Sequence, residues 1–134
     1  MAPKIAEIKI SVSRDRKAAR EFVKESSGTR VLNMYRQGYS REDIQNLGVN
    51  LEDVEKLDEA DTAGVPPEVF DPLVTDDMVD AIFIAGEPGE CLERMLEVHN
   101  IAQSQGFHQL MFSELGPDVD EALGLLVDEV IPPL

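Results

Sequence analysis

Residues 81–88 read Ala-Ile-Phe-Ile-Ala-Gly-Glu-Pro, so five apolar residues are followed by a glycine, a glutamate and a proline. A short, uninterrupted apolar run is typical of a parallel strand that is covered on both faces. Gly86 ends the run, and Pro88 suits the first turn of a helix, where the missing N–H needs no partner. The stretch predicts a buried strand at 82–85 that leads directly into a helix.

Two further segments show the same change from strand to helix. Residues 5–12 alternate apolar and polar positions, which predicts a strand, and Ser13 is expected to cap the helix that follows. Residues 109–113 are predicted to form a second short buried strand, and Gly116-Pro117 to open the last helix. Repeated strand–helix units favour parallel strands joined by right-handed crossovers. The sequence therefore predicts an α/β fold with three parallel strand–helix units.

The segment between the first two strands is predicted to be helical and is strongly acidic. Residues 26–28 are expected to end the first helix, residues 40–43 resemble a capping box, and Asn50 can cap a further helix. We interpret residues 28–80 as a helical insertion. The whole chain, 1–134, is expected to form a single domain because of its length.

The charge distribution limits the partners of this chain. The net charge is −15, which disfavours nucleic acid and anionic membrane surfaces, and no apolar run approaches the ~20 residues of a membrane helix. Residues 1–41 carry ten Lys and Arg against four acids, whereas residues 42–134 carry two against 23. The first part is either a solvated basic helix or a surface that faces the acidic part of this chain or of a second copy.

Conventional catalytic and metal-binding signatures are absent from the sequence, so no catalytic residue and no metal ligand are assigned. Cys91 is the single cysteine, which suits a reducing cytoplasm, and we expect it to act as a small buried hydrophobic residue. His99 lies on an apolar stripe with Leu96 and is predicted to be a packed core residue. His108 is predicted to lie at the surface.

Two loops that follow the second and third predicted strands are the best candidates for a ligand site. Ligands of α/β folds bind where the carboxyl ends of strands meet helix N-termini. The candidate residues are Gly86, Glu87, Pro88, Ser113, Glu114, Gly116 and Pro117. Glu87 and Glu114 are interpreted either as charges at helix N-termini that face solvent or as groups with a role in binding.

These segments carry a resemblance to a known family. Residues 74–81, residues 84–88 and Cys91 are similar to the late part of the methylenetetrahydromethanopterin reductases. Gly106 and residues 113–117 resemble the next strand and loop of that family, and residues 127–132 resemble its closing helix. The family belongs to the luciferase-like superfamily, and the resemblance implies a (β/α)8 TIM-barrel-like fold of which this chain covers only a part.

The resemblance also implies a function. The parent enzymes transfer a hydride between the reduced deazaflavin coenzyme F420 and a pterin carrier of a C1 unit. The family's catalytic carboxylate belongs to earlier strands, so this chain is expected to be a C-terminal segment that is inactive alone. Its expected partners are further copies of itself or a complementary N-terminal barrel half. The alternative is a stand-alone, non-catalytic interaction domain, which Glu7 and Lys9 favour because a barrel strand covered on both faces should be apolar throughout.

Overall fold

A computed structural model describes the backbone of residues 5–107 and 109–132. The elements follow in the order β1 (Ile5–Val12), α1 (Arg16–Phe22), α2 (Lys24–Arg36), α3 (Arg41–Asn46), α4 (Leu51–Thr62), α5 (Pro67–Phe70), a 3-10 turn (Asp71–Leu73), α6 (Asp76–Ile82), β2 (Ile84–Gly86), α7 (Pro88–Ser104), β3 (Gln109–Leu115), α8 (Val119–Leu125) and a π-helical turn (Leu126–Val130).

The three predicted strands are confirmed, and they form one parallel sheet in the order β2-β1-β3. The third strand is not buried as predicted, since Met111 is 51% exposed. β1 pairs with β2 at Ile10↔Ile84 and with β3 along seven positions from Ile5↔Gln109 onward. The second strand starts two residues later than predicted because α6 continues through Ile82. Parallel strands with connecting helices agree with the predicted α/β class and fit part of a barrel-type fold.

Contacts divide the chain into two compact units, one formed by residues 1–22 and 83–134 and the other by residues 23–82. The first unit contains the sheet. The second unit is helical in the elements described and contains the predicted insertion at 28–80. The single domain expected from chain length stays a prediction.

The sheet of the first unit carries helices on both faces. Ile8, Ile10 and Val12 of β1 are buried in one apolar core with Cys91 and Met95 of α7. On the opposite face, the Ser11 hydroxyl donates a 2.7 Å hydrogen bond to the Ala19 carbonyl of α1. Right-handed crossovers that leave the central β1 for one edge and then return across the sheet to the other edge explain why α1 and α7 lie on opposite faces.

Two predicted helix starts were wrong, and in both cases an aspartate caps the helix N-terminus. The Ala18 N–H donates to Asp15 Oδ1, so Asp15 rather than Ser13 caps α1. The last helix begins at Val119, after Asp118, which accepts from the Glu121 N–H. An ionised carboxylate is a strong cap because it satisfies an unpaired N–H and interacts favourably with the positive end of the helix.

In the helical unit, α2 continues through residues 26–28, where the sequence predicted an end. Gly28 is buried, and a β-carbon added there would lie 2.7 Å from Val74 Cγ2 and 3.3 Å from Leu57 Cδ2. The glycine is therefore needed for close helix packing and does not terminate the helix. The predicted capping box at residues 40–43 and the cap at Asn50 are both confirmed.

Candidate functional site

The two predicted loops lie on either side of the end of β1. The Ser13 N–H donates a 3.1 Å hydrogen bond to the Gly86 carbonyl, which ends β2. On the other side, Gly116 lies against Val12, and a β-carbon at position 116 would stand 2.6 Å from the Val12 carbonyl oxygen. The carboxyl ends of all three strands thus meet at one edge of the sheet.

The loop after β2 leads directly into α7. Glu87 is the N-cap residue and is exposed, whereas Pro88 is buried in the first turn. The Glu87 N–H donates to Glu90 Oε1 at 3.0 Å, and the same carboxylate is 2.9 Å from Arg16 Nε. Burial opposes ionisation of Glu90, but this hydrogen bond and the ion pair outweigh it, so the Glu90 pKa is lowered.

The loop after β3 contains a strained turn. Glu114 and Leu115 have φ values of +74° and +60°, and the Gly116 N–H closes the turn on the Glu114 carbonyl at 2.7 Å. Left-handed backbone at residues other than glycine is costly and is found most often where structure or function requires it. Here the turn returns Leu115 to the core face that Phe112 already occupies, although strand alternation would place it on the other face.

The structure corrects the expected surroundings of Glu114. This residue is exposed on the turn and does not lie at the start of α8, which begins at Val119. Ser113 precedes it on β3 and donates a 3.1 Å hydrogen bond to Glu7 Oε1 of β1. Pro117 is exposed beyond the turn. Of the two candidate glutamates, only Glu87 is positioned to interact with a helix N-terminus.

Sequence reasoning missed the loop after β1, which lies between the two predicted loops. Glu121 Oε1 accepts hydrogen bonds from the Ser13 hydroxyl and from the Arg14 N–H, both at 2.9 Å. The Arg14 guanidinium is 2.6 Å from Glu129 Oε2 in the π-helical turn. Ligands of α/β folds bind where the carboxyl ends of strands meet helix N-termini, and this rule applies to β1 as well as to β2 and β3. The predicted strand at residues 5–12 was therefore enough to select this loop.

A polar row crosses the sheet face opposite the main core. Lys9 Nζ is 3.2 Å from Glu7 Oε1, which is the oxygen that Ser113 also contacts. The Lys9 ammonium lies 6.0 Å from the centre of the Phe83 ring. The charged residues of β1 therefore interact on both sides of the strand: Glu7 with Ser113 of β3, and Lys9 with Phe83, which precedes β2.

The prediction that Cys91 is a buried residue is confirmed, whereas the prediction that His99 is fully packed in the core is wrong. Cys91 is fully buried, and burial, with a smaller contribution from the charge of Glu90, raises the pKa of its thiol to about 12. His99 is half-buried, so it is not the fully packed core residue that was predicted, and Leu96 of the same helix is 39% exposed. His108 lies outside the described residues.

The helical unit has a separate concave feature, a cavity of about 130 Å³. It is lined by Glu25, Thr29, Asp61, Val65, Pro67, Phe70 and Asp71. Asp61 is paired at 3.0 Å with Arg36, and Asp71 Oδ1 is buried with no hydrogen-bond partner in the described part of the chain. In residues 5–107 and 109–132, no group of three potential metal-ligating side chains is placed to hold a metal ion.

Comparison with solved structures identifies a protein that is similar to this chain over nearly its whole length. No family model matches the chain. A solved structure, the coenzyme F420 dependent tetrahydromethanopterin reductase from Methanopyrus kandleri, aligns over 98% of this chain with 27% identity and a TM-score of 0.76. This chain is similar to an F420-dependent reductase. The alignment covers 35% of the reductase chain, so this chain spans about a third of its length.

The match supports the family resemblance that the sequence motifs suggested, and it agrees with a partial barrel-type fold. The seven candidate site residues remain predictions as binding residues, since their placement at one sheet edge does not identify a ligand. None of the helices in the described part of the chain is long and apolar enough to cross a membrane.

Proposed function

We propose that this chain forms one part of a coenzyme F420-dependent oxidoreductase, in which a hydride passes between the reduced deazaflavin and a pterin carrier of a C1 unit. The observation that carries this proposal is the likeness to the Methanopyrus kandleri reductase, which extends over 98% of this chain. The chain spans about a third of that enzyme, so we propose that activity needs additional strand–helix units from another polypeptide segment.

The backbone at the carboxyl edge of the sheet brings the two candidate loops close to the end of β1. Gly86 and Gly116 both have positive φ values and no side chain, and both lie beside the end of β1. In related architectures this edge carries the ligand. We propose that Gly86, Glu87 and Pro88 contact the coenzyme from one side, and that Ser113, Glu114, Gly116 and Pro117 contact it from the other.

The charge at this edge does not fit the coenzyme. The deazaflavin coenzyme carries phosphate and carboxylate groups, whereas Glu87 and Glu114 place two exposed carboxylates at the edge. Arg14 and Arg16 could offset this charge, but each is already paired with a glutamate of the same unit. Like charges that are partly desolvated oppose binding by about 1 kcal/mol or more each. We therefore propose that the chain alone neither binds the coenzyme tightly nor reduces a pterin.

The same charges favour a second candidate function. A non-catalytic interaction domain derived from this fold would keep the packing elements and would tolerate acidic residues where the coenzyme phosphate would otherwise lie. The two carboxylates at positions 87 and 114 are the observation that favours it. Both candidates are proposed to act in the cytoplasm, where a lone reduced cysteine such as Cys91 is stable.

A fluorescence titration of coenzyme F420 with the purified chain tests the proposal. We expect no saturable binding in the micromolar range by the chain alone. Saturable binding that strengthens in a Glu87→Gln, Glu114→Gln double variant, and not in the Glu59→Gln control, which removes an exposed carboxylate of the helical unit, would show that the edge binds the coenzyme against its own charge. Tight binding by the unchanged chain would contradict the proposed inactivity.

Co-expression separates the two candidate functions. If the adjacent upstream gene encodes the missing strand–helix units, its product and this chain should together reduce a tetrahydromethanopterin substrate with reduced F420. A stable complex of the two products without coenzyme binding would favour the interaction domain and would contradict the reductase proposal.

A further inference from the structure

The loop after β1 holds a carboxylate that comes from the last helical segment. Glu121 of α8 lies 108 positions along the chain from Ser13, yet its Oε1 accepts hydrogen bonds from the Ser13 hydroxyl and from the Arg14 N–H, both at 2.9 Å. Two donors from consecutive residues thus converge on one oxygen just beyond the end of β1. Such an arrangement binds an oxyanion, and in this structure the oxyanion is the protein's own carboxylate.

These donors are held in place by contacts that do not involve Glu121. Ser13 is only 5% exposed, and its N–H donates a 3.1 Å hydrogen bond to the Gly86 carbonyl at the end of β2. Its hydroxyl oxygen accepts from the Asp15 N–H at 3.1 Å, so the hydroxyl hydrogen remains to donate. The donors are therefore preorganised, and an anion that replaces the carboxylate meets them already in position.

The position of this loop in the sheet is one where ligands bind. After β1 the chain passes to α1, whose Ala19 carbonyl contacts Ser11 on one face of the sheet. After β3 it passes to α8, whose Ala122 and Leu125 are packed on the other face with Ile10. Because β1 and β3 are adjacent strands, the connections at their carboxyl ends diverge and leave a crevice between them. Open parallel sheets bind ligands in the crevice at such a switch point.

Phosphate is the anion that these groups suit best. Hydroxyl, backbone N–H and guanidinium groups are strong donors to phosphate, which presents several acceptor oxygens to them. The Arg14 guanidinium lies 2.6 Å from Glu129 Oε2, but the Arg14 side chain is 67% exposed. Exposed ion pairs contribute little to stability, so this guanidinium can leave Glu129 and pair bidentately with a phosphate that is bound beside the Arg14 N–H.

We propose that the end of β1 is a phosphate-binding site and that Glu121 occupies it as an intramolecular competitor. A phosphate group that binds there accepts hydrogen bonds from the Ser13 hydroxyl and the Arg14 N–H, and the Glu121 carboxylate turns into solvent. Glu121 is already partly exposed, so its displacement leaves the core intact. The inference does not rest on the proposed reductase function, because inorganic phosphate and the phosphate of a coenzyme present the same kind of oxygen.

The charge around the site predicts that the unchanged chain binds phosphate weakly. Glu121 and Glu129 reach the loop from the last helical segment, and Glu114 and Asp118 are exposed on the connection after β3. Each of these carboxylates repels a phosphate. Glu121 differs from the others because it also accepts the hydrogen bonds that a phosphate needs. Its removal therefore relieves competition as well as repulsion.

Titration of the full chain with inorganic phosphate at constant ionic strength tests the proposal, with the Ser13 and Arg14 amide signals followed by NMR. In Glu121→Ala, both signals should shift and the dissociation constant should fall at least about tenfold relative to the unchanged chain. Asp120→Ala removes an exposed carboxylate from the adjacent position and should change it by less than about twofold. Glu121→Gln removes only the charge and keeps an acceptor for Ser13, so it should also tighten binding if Glu121→Ala does not fold.

Titration with coenzyme F420 identifies the source of the phosphate. Binding of F420 to Glu121→Ala that is tighter than the binding of inorganic phosphate, and that weakens when Arg14→Gln is added, would identify the coenzyme's phosphate as the ligand. Saturable binding of inorganic phosphate without binding of F420 would support the inference with free phosphate as the ligand, and would give the reductase proposal no support.

Arg14→Gln in the Glu121→Ala background locates the bound phosphate. The Arg14 side chain is exposed, so its replacement should leave the fold intact, which circular dichroism verifies, and should reverse the gain in phosphate affinity. The proposal is overturned if the two Glu121 variants bind phosphate no better than the unchanged chain, or if tight binding survives Arg14→Gln. An equal gain in Asp120→Ala would also overturn it, because general charge repulsion would then explain the result.

Discussion

Gly116 lies against the carbonyl oxygen of Val12, so closely that a β-carbon on residue 116 would stand 2.6 Å from that oxygen. The contact joins the turn after β3 to the end of the central strand. It is a backbone-to-backbone approach, which cannot be relieved by rotating a side chain. The close packing of the turn against the end of β1 therefore requires a residue without a side chain at position 116.

Replacing Gly116 should destabilise the fold strongly. Gly116→Ala adds a β-carbon against the Val12 carbonyl and also places alanine at a φ of +148°. Overpacking and backbone strain together predict a loss of about 2–4 kcal/mol in the free energy of unfolding. Urea unfolding followed by circular dichroism measures it. Gly124→Ala is the matched control, because that position in α8 is open, and it should gain about 0.5–1 kcal/mol.

Cys91 should be unreactive in the folded chain. Its thiol is fully buried, and burial raises its pKa to about 12, so almost no thiolate forms at pH 8. A thiol reagent should label the chain only after urea unfolds it, whereas the exposed control variant Ser104→Cys should react at once. Rapid labelling of the native chain would contradict this assignment.

The same thiol should make the fold sensitive to alkali. A folded pKa of about 12 against an ordinary value of 9.0 means that the unfolded chain loses this proton first. The contribution of Cys91 to stability is therefore present below pH 9 and declines as the pH rises toward 12. Urea midpoints from pH 8 to 11 should fall more in the wild-type chain than in Cys91→Ala, and equal falls in both would refute this explanation.

The sequence predicted the positions of the strands because their signals are local. Residues 5–12 alternate and residues 82–85 are uniformly apolar, so the period and polarity of each segment report how it is covered. The capping box at residues 40–43 and the cap at Asn50 were predictable for the same reason, since a cap involves side chains and N–H groups only two or three residues apart.

The order of the strands and much of the candidate site were not predictable, because they depend on distant pairs. Nothing in β1 indicates that it lies between β2 and β3. The pair of Arg14 and Glu129 joins residues 115 positions apart, and neither has a local pattern that identifies the other. A glycine needed for tight packing and one needed for a turn look the same in sequence, so the sequence wrongly predicts a helix end at Gly28.

Glu90 should give the fold a measurable dependence on acid. Its pKa is lowered from 4.5, so its contribution to stability is present above pH 4.5 and is lost as the pH falls through the lowered value. Because its side chain and that of Arg16 are 39% and 53% exposed, we expect less than about 1 kcal/mol. Glu90→Gln should lower the melting temperature at pH 7 and should lower it less near pH 3.

A matched variant isolates the contribution of Glu90. Glu93→Gln removes an exposed carboxylate from the same helix, so it changes the net charge of the chain equally. It should leave the melting temperature unchanged at both pH values. If Glu93→Gln matches Glu90→Gln at pH 7, general charge repulsion in this acidic chain explains the result, and the specific ion pair with Arg16 does not.

Relief of the strained turn after β3 should stabilise the chain. Glu114 is exposed at a φ of +74°, which costs a residue other than glycine about 1–2 kcal/mol. Glu114→Gly removes that cost but gives the unfolded chain about 0.5–1 kcal/mol of additional flexibility, so the net gain in urea unfolding should be about 0.5–1 kcal/mol. Glu114→Ala keeps the left-handed penalty and should gain nothing. Equal gains in both variants would show that removal of the carboxylate stabilises the edge. A loss of stability in Glu114→Gly would show that the glutamate side chain itself stabilises the turn that buries Leu115.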